Sequence, residues 1–227
     1  MIGTVNFLIT LNLFLFGLIF IKHNPIPKNL PNWSDSITTD SLIIVQDTIV
    51  DVKGKNVIFI GDSHTSNPNG WQYTLSNKTK MRMNNISVGG KTTGWMLERA
   101  KESIHNGLDY CFIYGGANDM YNSKITIESA VKNIQKIVNI CNSKGVKPVV
   151  ITGFDPLICI NTPENPNYKF KYSKFQNELI KKIVGGKVIN TRVITKSDCW
   201  DGLCHMAPSG HKKIGNCVIK EMKFKTY

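Results

Sequence analysis

Short β-branched apolar runs alternate with longer amphipathic segments along most of this chain, and few folds accommodate that alternation. Residues 56–60 (NVIFI), 82–88, 110–114 (YCFIY), 148–152 (PVVIT) and 187–190 read as strands, and the most apolar of them suit a parallel sheet covered on both faces. Between them, residues 94–105, 125–143 and 169–183 read as helices. Pro208 opens a last helix to about Lys223, since proline is favoured in a first helical turn. Ile127, Val131, Ile134, Ile137, Val138 and Cys141 recur at the spacing that lays one apolar stripe against a sheet. The expected fold is a doubly wound, three-layer α/β/α sandwich around a mainly parallel five-stranded sheet. Ligands bind such sheets beyond the carboxyl ends of the strands, so the residues just after each strand are the first candidates for a site.

At 227 residues and 41% hydrophobic content the chain suits one domain with a sizeable core, expected over residues 55–227. Ahead of it, residues 5–21 (VNFLITLNLFLFGLIFI) carry no charge, and at about 1.5 Å per residue they just reach across a bilayer core of about 30 Å. Residues 1–23 therefore read as a transmembrane anchor. A cleaved signal peptide is the competing reading. Against it, no Lys or Arg precedes the segment and no small-x-small site follows, because Lys22, His23 and Asn24 come directly after. Residues 24–54, with Pro25, Pro27 and Pro31, read as a tether. The basic flank, Lys22 and Lys28, would leave the domain in the cytoplasm, whereas cleavage would make it secreted, so the side of the membrane stays open.

The formal net charge of +12 raises nucleic acid as a partner. Almost all of that charge is lysine, with arginine only at positions 82, 99 and 192, and the lysines are spread along helices rather than concentrated in one block. A nucleic-acid partner is not expected. Six cysteines show no CxxC pair or zinc-ligand spacing, so no metal is expected, and Cys111 and Cys141 sit in apolar runs as small buried hydrophobes would. Cys199 and Cys204 are close enough in sequence to pair in an oxidising compartment.

Four short motifs stand at the strand ends. The first strand runs into Gly61-Asp62-Ser63-His64, a tight turn that can lift a hydroxyl above the sheet edge. The second ends in Val88-Gly89-Gly90-Lys91-Thr92, and the third in Gly115-Gly116-Ala117-Asn118-Asp119, where glycine lets backbone N–H groups approach a ligand closely. Near the C-terminus, Asp201 and His205 share one loop ahead of Pro208. Each motif alone is commonly an ordinary turn.

Taken in order, these pieces resemble the blocks of the SGNH (GDSL-type) hydrolase family, over residues 55–222. The resemblance implies a flavodoxin-like sheet and a serine esterase that needs no cofactor. It implies Ser63 as nucleophile, His205 as base, Asp201 as the acid that orients it, and an oxyanion hole made by Ser63, Gly90 and Asn118. The types suit the chemistry, since serine attacks only when an imidazole takes its proton, and that imidazole needs a partner to fix its tautomer. Gly90 is preferred to Gly89 because the family's glycine stands one residue before a threonine-preceding position, as in Gly90-Lys91-Thr92. The family's last block is usually Asp-x-x-His, whereas three residues separate Asp201 from His205, so Asp198 or a backbone carbonyl are alternatives for the acid. Asp62 and Asp119 are expected to brace their turns, and His64, His105 and His211 have no assigned role. The expected substrate is a small-molecule or glycan ester, with short O-acetyl groups on carbohydrate favoured. An O-acyltransferase using the same site, or a catalytically silent binding protein on the same scaffold, are the rival readings.

Overall fold

The computed structural model describes residues 48–122, 124–154, 167–200 and 205–227. Its strands are β1 (Asn56–Gly61), β2 (Arg82–Asn85), β3 (Tyr110–Tyr114), β4 (Lys147–Ile151) and β5 (Lys187–Ile189). They pair in parallel in the order β2-β1-β3-β4-β5, a flavodoxin-like arrangement. The order reverses between β1 and β3, so the chain leaves these neighbouring strands in opposite directions and opens a crevice above their carboxyl ends.

Alternation along the strands sends successive side chains to opposite faces. Ile58, Ile60, Cys111, Ile113 and Val150 enter one core with α3 (Thr93–Ser103), α5 (Ile127–Ser143) and α6 (Tyr168–Lys182). Val57, Phe59, Phe112, Tyr114, Val149 and Ile151 enter the other with α2 (Trp71–Thr79) and α7 (Pro208–Glu221). Two short helices, α1 (Ser63–Ser66) and α4 (Ala117–Tyr121), follow β1 and β3 directly. Cys111 and Cys141 are buried, as their apolar settings imply.

Three features depart from the sequence reading. Helix α2 was not expected, because its buried face mixes Trp71 and Leu75 with Gln72, Ser76 and Thr79, and this hides the helical period. Strand β2 ends at Asn85 instead of 88, where the Asn85 side chain turns to donate to the Thr65 carbonyl at 2.8 Å. Residues at the expected end of the tether belong with the domain: Val50 bridges Phe224, Val52 is buried, and the Tyr227 hydroxyl donates to Asp51 at 2.6 Å. The apolar segment at 5–21 and the tether up to residue 47 lie outside the described residues, as do Asp201 and Cys204. Among the described residues, no helix is long and apolar enough to cross a membrane.

Candidate active site

Strand β1 delivers its chain to the crevice at Gly61, where an added Cβ would fall on the Tyr114 carbonyl and the Thr65 side chain. Only glycine lets the turn sit this close to β3. Asp62 then caps α1, its Oδ1 accepting from the His64 N–H at 3.1 Å. Ser63 is the first residue of that helix, and first-turn N–H groups have no partner within their own helix. His205 arrives from the loop before α7, and its Nε2 lies 3.0 Å from the Ser63 Oγ. The loop is closed behind it by the Trp200 N–H donating to the His205 carbonyl at 3.0 Å, and by a bridge between Cys199 and Met206.

The two glycine-rich turns meet the serine from the other side. A Cβ on Gly89 would stand 3.7 Å from that of Ser63, whereas Gly90 faces open space with φ +74°, a conformation that favours glycine. The turn therefore touches the serine through Gly89 while Gly90 makes the bend. Asn118, in the first turn of α4, donates its amide to the Lys91 carbonyl at 3.0 Å. This ties the third expected oxyanion residue to the loop that carries the second.

Two buried carboxylates hold these turns in register, as expected of bracing residues. Asp119 accepts from both the backbone N–H (2.8 Å) and the hydroxyl (2.5 Å) of Thr93, at the start of α3, and Asn133 adds a hydrogen bond to the same hydroxyl. Asp62 accepts from the His64 N–H through Oδ1, which holds the serine turn, while its Oδ2 is buried without a partner among the described residues. Burial pushes the Asp62 carboxyl up to about 7, with the charge of Asp119 adding to it and the His64 N–H opposing. Burial likewise raises Asp119, against its bonds to Thr93.

Three imidazoles gather here, two of them without a role in the sequence reading. His64 is buried, stacked on Tyr114 and edge-on to Phe154, and its ring centroid lies 5.3 Å from that of His205. His211 is buried in α7, and its Nε2 accepts from the Asn67 amide at 3.3 Å. Burial brings His64 down to about 3 and His211 to about 4, each helped by the nearness of His205. Both are thus neutral, weakly basic rings, and His64 packs against His205. His205 alone of the three is exposed and bonded to the serine. A histidine adjacent to the nucleophile was visible in the sequence, but nothing there revealed that it would be buried.

The alternative acid, Asp198, is committed elsewhere. Burial alone would raise its carboxyl, but the Lys213 ammonium at 2.6 Å, together with the Thr195 N–H and hydroxyl, holds it well below the usual carboxylate range. Among the described residues, no group of three or more histidine, cysteine, aspartate or glutamate side chains is placed to hold a metal ion.

The family model for the GDSL-like lipase/acylhydrolases matches residues 57–218, which takes in the sheet from the second residue of β1 and the turns that carry Ser63, Gly90, Asn118 and His205. The chain belongs to this family. A GDSL-like lipase/acylhydrolase is a carboxylic ester hydrolase, and the chain is an enzyme of that kind. It is 25% identical over 202 residues to the platelet-activating factor acetylhydrolase IB subunit alpha2 of Rattus norvegicus, covering 83% of this chain and 86% of the relative. In fold it is similar to a lipolytic G-D-S-L family protein from Veillonella parvula (TM-score 0.61, 13% identity, 74% of this chain and 97% of that one). The acetylxylan esterase Axe2 from Geobacillus stearothermophilus shares the fold too (TM-score 0.58, 16% identity, 78% and 98% covered).

Proposed function

We propose that this GDSL-like hydrolase removes a short acyl group, acetyl above all, from a carbohydrate ester through an acyl-enzyme intermediate. The observation that carries the mechanism is the 3.0 Å approach of His205 Nε2 to Ser63 Oγ. The Ser63 hydroxyl gives its proton to Nε2 as its oxygen attacks the ester carbonyl. The tetrahedral oxyanion is met by the N–H groups of Ser63 and Gly90 and by the Asn118 amide. Collapse expels the alcohol, which takes the proton back from His205, and water then hydrolyses the acyl-serine by the same route. Asp201 is the acid assigned to orient His205. The bonds that Asp198 makes to Lys213 and Thr195 support that choice, because they leave Asp198 a structural part in the loop.

Two similar proteins support the short acyl group: a 25% identical relative is an acetylhydrolase and a fold neighbour is an acetylxylan esterase. The purified protein should release acetate from p-nitrophenyl acetate and from an O-acetylated glycan, and neither activity should survive in Ser63→Ala. Hydrolysis of long-chain esters with no action on acetylated glycans would refute the substrate assignment. Residues 5–21 are proposed to tether the enzyme to a membrane, so carbonate extraction should leave it in the membrane fraction. A mature N-terminus beyond Ile21 would instead mark a cleaved, secreted form.

A further inference from the structure

We infer that the carbohydrate is anionic, carrying a carboxylate or phosphate near the ester, and that Lys91 and Tyr121 are specificity-determining residues on either side of Asn118. This rests on the carbohydrate-ester reading above. The Lys91 carbonyl accepts from the Asn118 amide at 3.0 Å, which seats Lys91 directly beside the expected oxyanion donor. The residue is exposed, and its ammonium rests 5.8 Å from the centre of the Trp95 ring. Among the described residues it has no carboxylate partner. Arg99, over the same ring, is turned to Glu102 at 2.7 Å.

On the other side, Tyr121 lies one helical turn beyond Asn118, so the two share a face of α4. Tyr121 is half exposed and meets Tyr168 edge-on at 6.0 Å. Tyr168 stacks on Tyr172, Tyr172 packs on Phe154, and Phe154 packs on His64 beneath the His205 ring. This row of rings connects Tyr121 through the core to the His205 ring. The next residue, Asn122, accepts the Lys171 ammonium on its carbonyl at 3.4 Å, which adds a cation beside Tyr121.

Among the described residues, the carboxylates that bond within the site's turns do not balance these charges. Asp62, Asp119 and Asp198 are all buried, and their described bonds go to N–H groups, hydroxyls and Lys213. A neutral sugar gains nothing from an unpaired ammonium and would have to displace its water. An anionic sugar gains the attraction and can lay its C–H face on Tyr121. Lysine acts as a point charge without the fixed fork of arginine, so either acidic group satisfies it.

The test compares kcat/KM on O-acetylated polygalacturonate and an O-acetylated hexose phosphate with that on neutral O-acetylated glucomannan, with p-nitrophenyl acetate alongside. The wild type should prefer at least one anionic ester by about tenfold at low salt, and added salt should shrink the gap. Which acidic ester is preferred identifies the group. Lys91→Gln should remove the preference and Lys91→Arg keep it, while Tyr121→Ala should raise KM on the glycans more than on p-nitrophenyl acetate. Equal kcat/KM on neutral and anionic esters, or a preference that survives in Lys91→Gln, would overturn the inference. An equal loss on all four esters in Lys91→Gln would also overturn it, by placing the ammonium at the oxyanion. Failure to cleave p-nitrophenyl acetate would point to failure of the esterase mechanism, whereas cleavage of it but of no glycan would refute the carbohydrate reading. Either result takes this inference with it.

Discussion

Replacing Asp62 by Asn should make the protein more stable as pH rises, which is opposite to the usual loss of a buried carboxylate. The carboxyl has an ordinary value of 3.8 and is pushed to about 7 in the folded chain by burial, with Asp119 adding to the effect. Between those values the folded state holds a proton that the unfolded state has released. Stability is therefore full below the unfolded value and is lost as pH rises through the folded one, at up to about 1.4 kcal/mol per pH unit. Integrated from about pH 5 to about pH 8, the wild type loses on the order of 2.5 kcal/mol through this one group. Asn keeps an oxygen for the His64 N–H bond and cannot ionise, so the variant escapes the loss. Urea unfolding of both proteins, followed by tryptophan fluorescence at several pH values, reads the difference directly. The advantage of Asp62→Asn should grow by about that amount across the interval. A difference that stays flat, or shrinks, would show that Asp62 is ionised in the folded state with a counter-charge that this account lacks.

Asn118→Ala should lower kcat on p-nitrophenyl acetate by about 10²–10³, with KM little changed, because an oxyanion donor acts in the transition state; a change confined to KM would remove Asn118 from that role. Asp201→Asn should lower turnover by about 10⁴, the scale for a triad acid replaced by its amide. Asp198→Asn should cost far less turnover but should weaken the fold by about 1–3 kcal/mol, through its bonds to Lys213 and Thr195. Because Asp198 is held below the usual carboxylate range, its contribution is present above the ordinary value and lost as pH falls, so the stability gap between Asp198→Asn and wild type should close in acid. A larger loss of turnover in Asp198→Asn than in Asp201→Asn would reverse the assignment.

The sheet was legible because its strands announce themselves. Runs such as YCFIY are apolar on both faces, and every observed strand falls on a run marked in the sequence. Helix α2 was not, since Gln72 and Thr79 are buried by hydrogen bonds to the Asn67 and Leu75 carbonyls, partners no hydrophobic pattern contains. The same divide runs through the site. Ser63, Asn118 and His205 could be singled out because each stands in a motif at the end of a strand or before a helix. The neutral packing of His64 and His211, and the carboxylate straps from Asp62 and Asp119, depend on which loops meet across the crevice. Residues 26 apart in sequence, such as Thr93 and Asp119, have no local signature of their contact. Gly89 and Gly90 illustrate the limit most narrowly. The motif selects Gly90, and only the three-dimensional turn reveals that Gly89 is the one lying against the serine.

In the proposed mechanism Ser63 attacks and His205 takes its proton. Labelling with a serine-directed fluorophosphonate, followed by peptide mapping, tests both halves in one experiment. Wild-type protein should be modified at Ser63 alone, Ser63→Ala should not be labelled, and His205→Ala should keep its fold yet react slower by several orders of magnitude. Labelling at another serine, or unchanged labelling of Ser63 without His205, would contradict the account.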